Sequence, residues 1–301
     1  MNTAHPDFDV MAASRSRHHA IVIGSGFGGM ASAIRLAAKG YRVTLLEKLD
    51  ALGGRAYTYE QDGFKFDGGP TIVTVPELFQ ELWTLCDRRL EDDIDLRLMN
   101  PFYRIRFDDG KIFDYTGDKE ENLRQIRDYN PRDAEGYERY LKASADRHKV
   151  GFALLDKPFS TFGQLLRFAP DLVRLRGDQS VYKLVSRFIK DDYLRMAVSF
   201  HPLLIGGNPF TASSLYSLIS HLEVTGGVWS AMGGTGRIVE AMGNLMKSQG
   251  TTIRLNAEVD QITAESGRVT GVRLKNGEQL DAELVISNAD AAWTYRQLLS
   301  E

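Results

Sequence analysis

The stretch Ala20-Ile21-Val22-Ile23-Gly24-Ser25-Gly26-Phe27-Gly28-Gly29-Met30 decides the fold. Its first four residues form a continuous apolar run rich in β-branched side chains, as in a strand buried on both faces. Three glycines follow in the spacing GxGxxG, at Gly24, Gly26 and Gly29. From Met30 to Lys39, Ala31, Ile34, Leu36 and Ala37 recur at helical spacing and Gly40 stops the run. A second buried strand, Arg42 to Glu47, completes a strand–helix–strand unit. In that setting Gly24 permits a tight turn, Gly26 lets backbone approach a pyrophosphate, and Gly29 lets helix and strand pack closely. Phe27 and Gly28 stand where a helix N-terminus presents free N–H groups to phosphates. Glu47 lies 18 residues beyond Gly29, placed to accept hydrogen bonds from ribose hydroxyls, and an acid there argues against a 2′-phosphate. Together they read as a dinucleotide site.

Working outward, the chain has 301 residues, 43% hydrophobic and 26% charged, with a net charge of −3. That composition is globular and excludes disorder, collagen-like repeats and disulfide-dense mini-proteins. The near-neutral balance gives no case for a nucleic-acid partner. Cys86, alone, cannot form an intramolecular disulfide; it fits a reducing compartment and reads as a small buried apolar residue. The first twenty residues lack the apolar core of a signal peptide, and residues 1–18 read as a flexible polar tail. No run of about 18 apolar residues is present, so the chain is expected to be soluble or to lie on a membrane surface.

Residues 19–118 read as the first part of the nucleotide domain. They hold a glycine-rich irregular stretch over 53–75, a helix from Pro76 to Cys86, and a hairpin around Asp108-Asp109-Gly110. Residues 119–222 turn helical, with breaks at Pro131, Pro158, Pro170, Pro202 and Pro209, and read as an inserted domain. Residues 223–301 return to the first pattern, with a helix over Ile238–Ser248, strands flanking Ser266-Gly267 and following Asn276-Gly277, a buried strand Leu284–Ser287, and a helix from near Asp290. The fold class is α/β: a Rossmann-like domain interrupted by a mainly helical insertion.

Gly53-Gly54-Arg55, soon after Glu47, resembles flavoproteins whose second glycine pair lies along the pyrophosphate, which implies FAD. Arg55 then brings positive charge toward the phosphates or the isoalloxazine. The chain as a whole resembles the bacterial-type phytoene desaturases, carotenoid dehydrogenases of the flavin amine oxidase-like superfamily. The resemblance rests on Val22–Gly29, Glu47, Gly53–Tyr57, Gly63–Thr71, Asn130–Asp133, Phe200–Leu204, Gly206–Phe210, Gly233–Gly236 and Ser287–Asp290. The part from Ser199 to Thr235 is the more specific to carotenoid desaturases. It implies an FAD site made by Gly24, Gly26, Phe27, Gly28, Gly29, Glu47, Lys48, Gly53, Gly54, Arg55, Gly69, Pro70, Thr71 and Val259, without a metal.

The implied activity is desaturation of phytoene toward neurosporene or lycopene: one hydrogen leaves as hydride to oxidised flavin, and the second as a proton. Oxygen or a quinone is the implied electron acceptor, and the implied location is cytoplasmic, on the membrane that holds the carotenoid. The alternatives are a related flavoprotein acting on another carotenoid or an amine, and an inactive fragment. Family members continue well beyond residue 301, so a fragment is the expectation. Arg167, His201 and Asp67 are the candidate groups for proton transfer. Each also has a structural reading: a cation at a membrane-facing rim for Arg167, a hydrogen-bonded core histidine for His201, and an Asx-type turn for Asp67. The stretch 157–195 has eight basic and four acidic residues interspersed with Phe159, Phe162, Leu165, Leu166, Phe168, Leu172 and Val173, the pattern of an interfacial helix or of a packed one.

Overall fold

The computed structural model describes residues 18–155, 163, 169–171 and 173–299. In chain order they begin with β1 (His19–Ile23), α1 (Phe27–Ala38), β2 (Arg42–Leu46), β3 (Thr58–Gln61), β4 (Phe64–Asp67), α2 (Glu77–Thr84) and β5 (Leu96–Leu98). Next come β6 (Tyr103–Arg106), β7 (Ile112–Tyr115), α3 (Lys119–Tyr129), α4 (Asp133–Leu155), α5 (Val181–Val185), α6 (Asp192–Ser199) and α7 (Leu218–Gly226). The chain closes with β8 (Trp229–Ala231), α8 (Thr235–Ser248), β9 (Thr252–Arg254), β10 (Val259–Glu265), β11 (Arg268–Leu274), β12 (Gln279–Asp281), β13 (Leu284–Ser287) and the single turn α9 (Ala291–Trp293). These elements form two compact units, one running to Arg97 and resuming at Ser230, the other spanning Leu98–Trp229.

The first unit is built on a parallel sheet in the order β13-β1-β2-β9. β1 lies between two neighbours and all five of its residues are buried, as its unbroken apolar sequence requires. α1 turns Met30, Ala33 and Ile34 inward, and α8 carries an apolar stripe of Ile238, Val239, Met242, Leu245 and Met246. An antiparallel sheet, β10-β11-β12, closes a second core of Ile21, Ile23, Leu46, Val259, Ile262, Val272, Leu274 and Leu298. Each such side chain contributes about 1.5–3 kcal/mol when fully withdrawn from water. The chain leaves β1 toward β2, whereas its last strand, β13, joins β1 from the other side. Strand order therefore reverses between β1 and β13, and a crevice opens at their carboxyl ends.

Two local expectations are revised. The helical run expected over Met30–Lys39 is longer at its start: α1 begins at Phe27, within the Phe27–Met30 window expected for its N-terminus, because extended Gly26 (φ −62°, ψ 168°) serves as its N-cap and Gly28 and Gly29 join its first turn. The stretch 53–75 is not wholly irregular: β3 and β4 pair in it as a hairpin, with Tyr59 opposite Phe66 and Gln61 opposite Phe64. Its two-residue turn, Asp62-Gly63, has both φ angles positive (52° and 82°), the geometry an Asp-Gly turn favours.

In the second unit, α3 starts at Asp118, whose carboxylate accepts from the Glu120 and Glu121 N–H groups at 2.9 and 3.2 Å. Buried Asp133 accepts from the Lys190 and Asp191 N–H groups, both at 2.8 Å, tying α4 to the segment before α6. This unit starts at Leu98, not at 119, because the β6–β7 hairpin is fastened to α3 and α4. Gln125 exchanges two hydrogen bonds with the Asp114 backbone, Asn122 accepts from the Thr116 N–H, and the Tyr137 hydroxyl donates to Tyr115. Burial raises the pKa of Tyr115 and Tyr140 and pushes Tyr137 up to about 12. Part of the basic stretch expected over 157–195, including Lys157, Arg167 and the interspersed Phe159, Phe162, Leu165, Leu166, Phe168 and Leu172, lies outside the described residues. Of its described cations, Arg174, Arg176 and Arg195 pair with Asp171, Asp178 and Asp192, while Lys183, Arg187 and Lys190 are exposed and make no ion pair among the described residues.

Candidate cofactor site

At the carboxyl ends of β1, β2 and β13 the first unit holds a cavity of about 990 Å³. Its floor is the glycine turn. Gly24 takes φ +89°, which L side chains resist, and its N–H donates to the Leu46 carbonyl at 2.8 Å. A Cβ on Gly29 would stand 1.9 Å from the Gly24 carbonyl oxygen, so α1 comes this close to β1 only with glycine there. The second glycine pair lies against the first: the Gly53 N–H donates to Ser25 O at 3.1 Å, and a Cβ on Gly54 would stand 3.1 Å from Gly26 Cα. At the mouth, α1 has no side-chain cap and no acidic residue in its first turn, leaving its first N–H groups and the positive end of its dipole for an anion.

Glu47 forms the wall across from the turn and is only 4% exposed. Its Oε2 accepts from the Ser25 N–H at 2.8 Å and from the Ser25 hydroxyl at 2.6 Å, and its Oε1 accepts from the Leu49 N–H at 2.9 Å. Both oxygens are thereby fixed, and Oε1 keeps acceptor capacity for a hydroxyl. Ser25 has no chemistry of its own in the sequence motif. Its role appears only once the turn brings it under Glu47.

Lys48, Arg55, Pro70 and Val259 line the same cavity, together with Ala257, Asn288, Trp293 and Leu298. Arg55 is exposed and makes no ion pair among the described residues. Gly69 and Thr71 do not line the cavity. Gly69 has a packing task, since a Cβ there would stand 2.1 Å from the Arg55 carbonyl oxygen, and Thr71 is exposed. The space only glycine leaves, the acid-free helix end and the anchored carboxylate fit a nucleotide with a diphosphate and ribose hydroxyls.

The family model for flavin-containing amine oxidoreductases matches residues 27–296. The chain belongs to that family. Among curated relatives, it is 48% identical over 280 residues to a lycopene-forming phytoene desaturase of Pseudescherichia vulneris, covering 93% of this chain and 57% of the relative. It is 46% identical over 281 residues to a neurosporene-forming phytoene desaturase of Cereibacter sphaeroides, covering 93% of this chain and 54% of the relative. The chain thus spans about half the length of these relatives. Among solved structures, a Pyrococcus furiosus protein shares the fold with a TM-score of 0.63 at 17% identity, covering 93% of this chain and 61% of that one. The cofactor of this flavin-containing oxidoreductase fold is FAD.

Of the residues singled out for proton transfer, Arg167 lies outside the described residues. Asp67 sits at the start of α8, where its carboxylate accepts from the Thr235 and Gly236 N–H groups at 2.7 and 3.2 Å and from the Thr58 hydroxyl at 3.2 Å. That is a helix cap made from a distant strand rather than an Asx-type turn. His201, in the second unit, is fully buried. Its Nε2 meets Glu223 Oε2 at 2.9 Å and its Nδ1 meets the Ser220 hydroxyl at 3.3 Å. Glu223, equally buried, also accepts from the Tyr103 hydroxyl at 2.8 Å, and Ser220 bonds the Tyr140 hydroxyl at 2.8 Å. Burial and the Glu223 charge raise the Tyr103 pKa. The histidine thus belongs to a closed core network of the kind its structural reading describes. Neither Glu223 nor Ser220 carried a signal in the sequence, because their pairing joins α7 to the turn after α6.

Proposed function

We propose that this chain carries the flavin half-site of an FAD-dependent desaturase that takes phytoene toward neurosporene or lycopene. The observation that carries the reading is the 48% identity to a lycopene-forming phytoene desaturase across 93% of this chain, together with a cavity fit for the cofactor such chemistry needs. Bound FAD supplies the two-electron acceptor for hydride removal next to a double bond. The chain's own residues do the holding. The N-terminus of α1 with Gly24, Gly26 and Gly29 receives the diphosphate, Glu47 accepts from ribose hydroxyls, and Arg55 and Lys48 add positive charge at the rim.

The substrate, a long hydrocarbon, would come from a membrane, which makes the working location the cytoplasmic membrane surface. Consistent with a peripheral arrangement, no helix among the described residues is long and apolar enough to cross a bilayer. Oxygen or a quinone would reoxidise the flavin. The test is to load the purified chain with FAD, add liposomes containing phytoene, and follow visible absorption of the extracted polyene, with a full-length relative in parallel. Coloured product supports the reading. An FAD-loaded chain that leaves phytoene colourless while the relative converts it overturns desaturation by this chain.

A further inference from the structure

We infer that Asn288 is a further binding residue of the cofactor site, its side-chain amide donating a hydrogen bond to a diphosphate oxygen; this rests on the FAD reading above. Asn288 directly follows β13, whose partner across the reversal of strand order is β1, with Ser287 opposite Ile23. Its backbone N–H donates to the Ile23 carbonyl at 2.8 Å, so the residue is anchored where β1 ends and the glycine turn begins.

From there its side chain lies directly over the turn. A Cβ placed on Gly26 would meet Nδ2 at 3.1 Å, one on Gly28 would meet Oδ1 at 2.6 Å, and one on Gly29 would meet the Asn288 Cβ at 3.2 Å. The glycines thus open the turn to this amide as well as to a ligand. Asn288 lines the cavity, is exposed, and has no side-chain hydrogen bond among the described residues. An amide with no side-chain bond among the described residues, held over the uncapped end of α1 with Nδ2 on the Gly26 side, adds a donor beside the free N–H groups of the first turn. Its chemistry also suits the place: an amide is neutral, so it stabilises an anion there without competing with it, whereas an acid would occupy the helix end itself.

The test is fluorescence titration of FAD, ADP and riboflavin into the wild-type chain, N288A and N288D, with the apo melting temperature of each. Loss of one hydrogen bond to a charged group predicts roughly 10-fold weaker FAD and ADP binding in N288A, and the added charge predicts a loss on the order of 100-fold in N288D. Riboflavin, which has no phosphate, should bind all three alike. The apo N288D chain should melt no lower than wild type, because an acid near a helix N-terminus is stabilising. A purely structural residue would instead lower the melting temperature and leave the contrast between ADP and riboflavin untouched. Wild-type binding with either N288A or N288D within about twofold of it overturns this inference alone. Failure of the wild-type chain to bind either FAD or ADP overturns the cofactor reading and this inference with it.

Discussion

Replacing Glu223 by alanine is the sharpest test of how the second unit holds His201. The carboxylate is fully buried and has two partners, His201 Nε2 at 2.9 Å and the Tyr103 hydroxyl at 2.8 Å. Alanine leaves the buried His201 Nε2 and the part-buried Tyr103 hydroxyl unpaired, at about 1–3 kcal/mol each, and the lost methylene adds about 0.8 kcal/mol. The expected destabilisation is about 4 kcal/mol, a large part of the ~5–15 kcal/mol typical of a domain. Glutamine is the informative control. Its Oε1 can still accept from Tyr103, and its amide can donate to Nε2 if the imidazole proton moves to Nδ1. The Nδ1–H then donates to Ser220, Ser220 donates to Tyr140, and Tyr140 donates to the Val198 carbonyl at 3.5 Å. The chain of bonds can thus reverse its direction, so E223Q should cost no more than about 1 kcal/mol. Urea unfolding followed by tyrosine near-UV circular dichroism measures both variants. An E223A loss below about 1 kcal/mol, or E223Q as damaging as E223A, would refute the reasoning.

Gly29→Ala should force α1 away from β1, since the new methyl would stand 1.9 Å from the Gly24 carbonyl oxygen; we expect FAD binding to be lost in titration and stability to fall by more than the ~1–3 kcal/mol usual for overpacking. Asp67→Ala should cost about 1–2 kcal/mol in thermal unfolding by uncapping α8, whereas Asp67→Asn, which keeps an acceptor, should cost less and retain flavin; an Asp67→Asn chain of unchanged stability that binds FAD but cannot desaturate phytoene would instead make Asp67 a proton-transfer group. Tyr137 holds its proton more tightly folded than unfolded, so its contribution is complete below the ordinary tyrosine value of about 10 and is lost as pH rises toward about 12. Tyr137→Phe removes that dependence, and the stability gap between wild type and variant should shrink by up to about 2.7 kcal/mol between pH 9 and pH 12, read from urea midpoints at each pH.

The sequence by itself determined the nucleotide-binding half of this protein. Ala20–Ile23, the spacing of Gly24, Gly26 and Gly29, and Glu47 at the end of β2 are local constraints: period, turn chemistry and strand ends act over a few residues and can be read without knowing what lies across the fold. The same holds for the hairpin at Asp108-Asp109-Gly110 and the strands flanking Ser266-Gly267. The Asp62-Gly63 hairpin followed the same rule, but the glycines around it obscured the alternation of Tyr59, Phe64 and Phe66. Only the tertiary structure decided the roles that depend on partners far apart in the chain. Ser25 orients Glu47 across 22 residues, Asp67 caps a helix 168 residues later, Glu223 closes on Tyr103 across 120, and Asn288 reaches the glycine turn because β13 pairs with β1. A carboxylate or an amide has the same composition and local propensity whether it caps, pairs or binds. What it does is fixed by which donors the fold brings within about 3 Å, and strand order, which no local pattern encodes, sets that proximity.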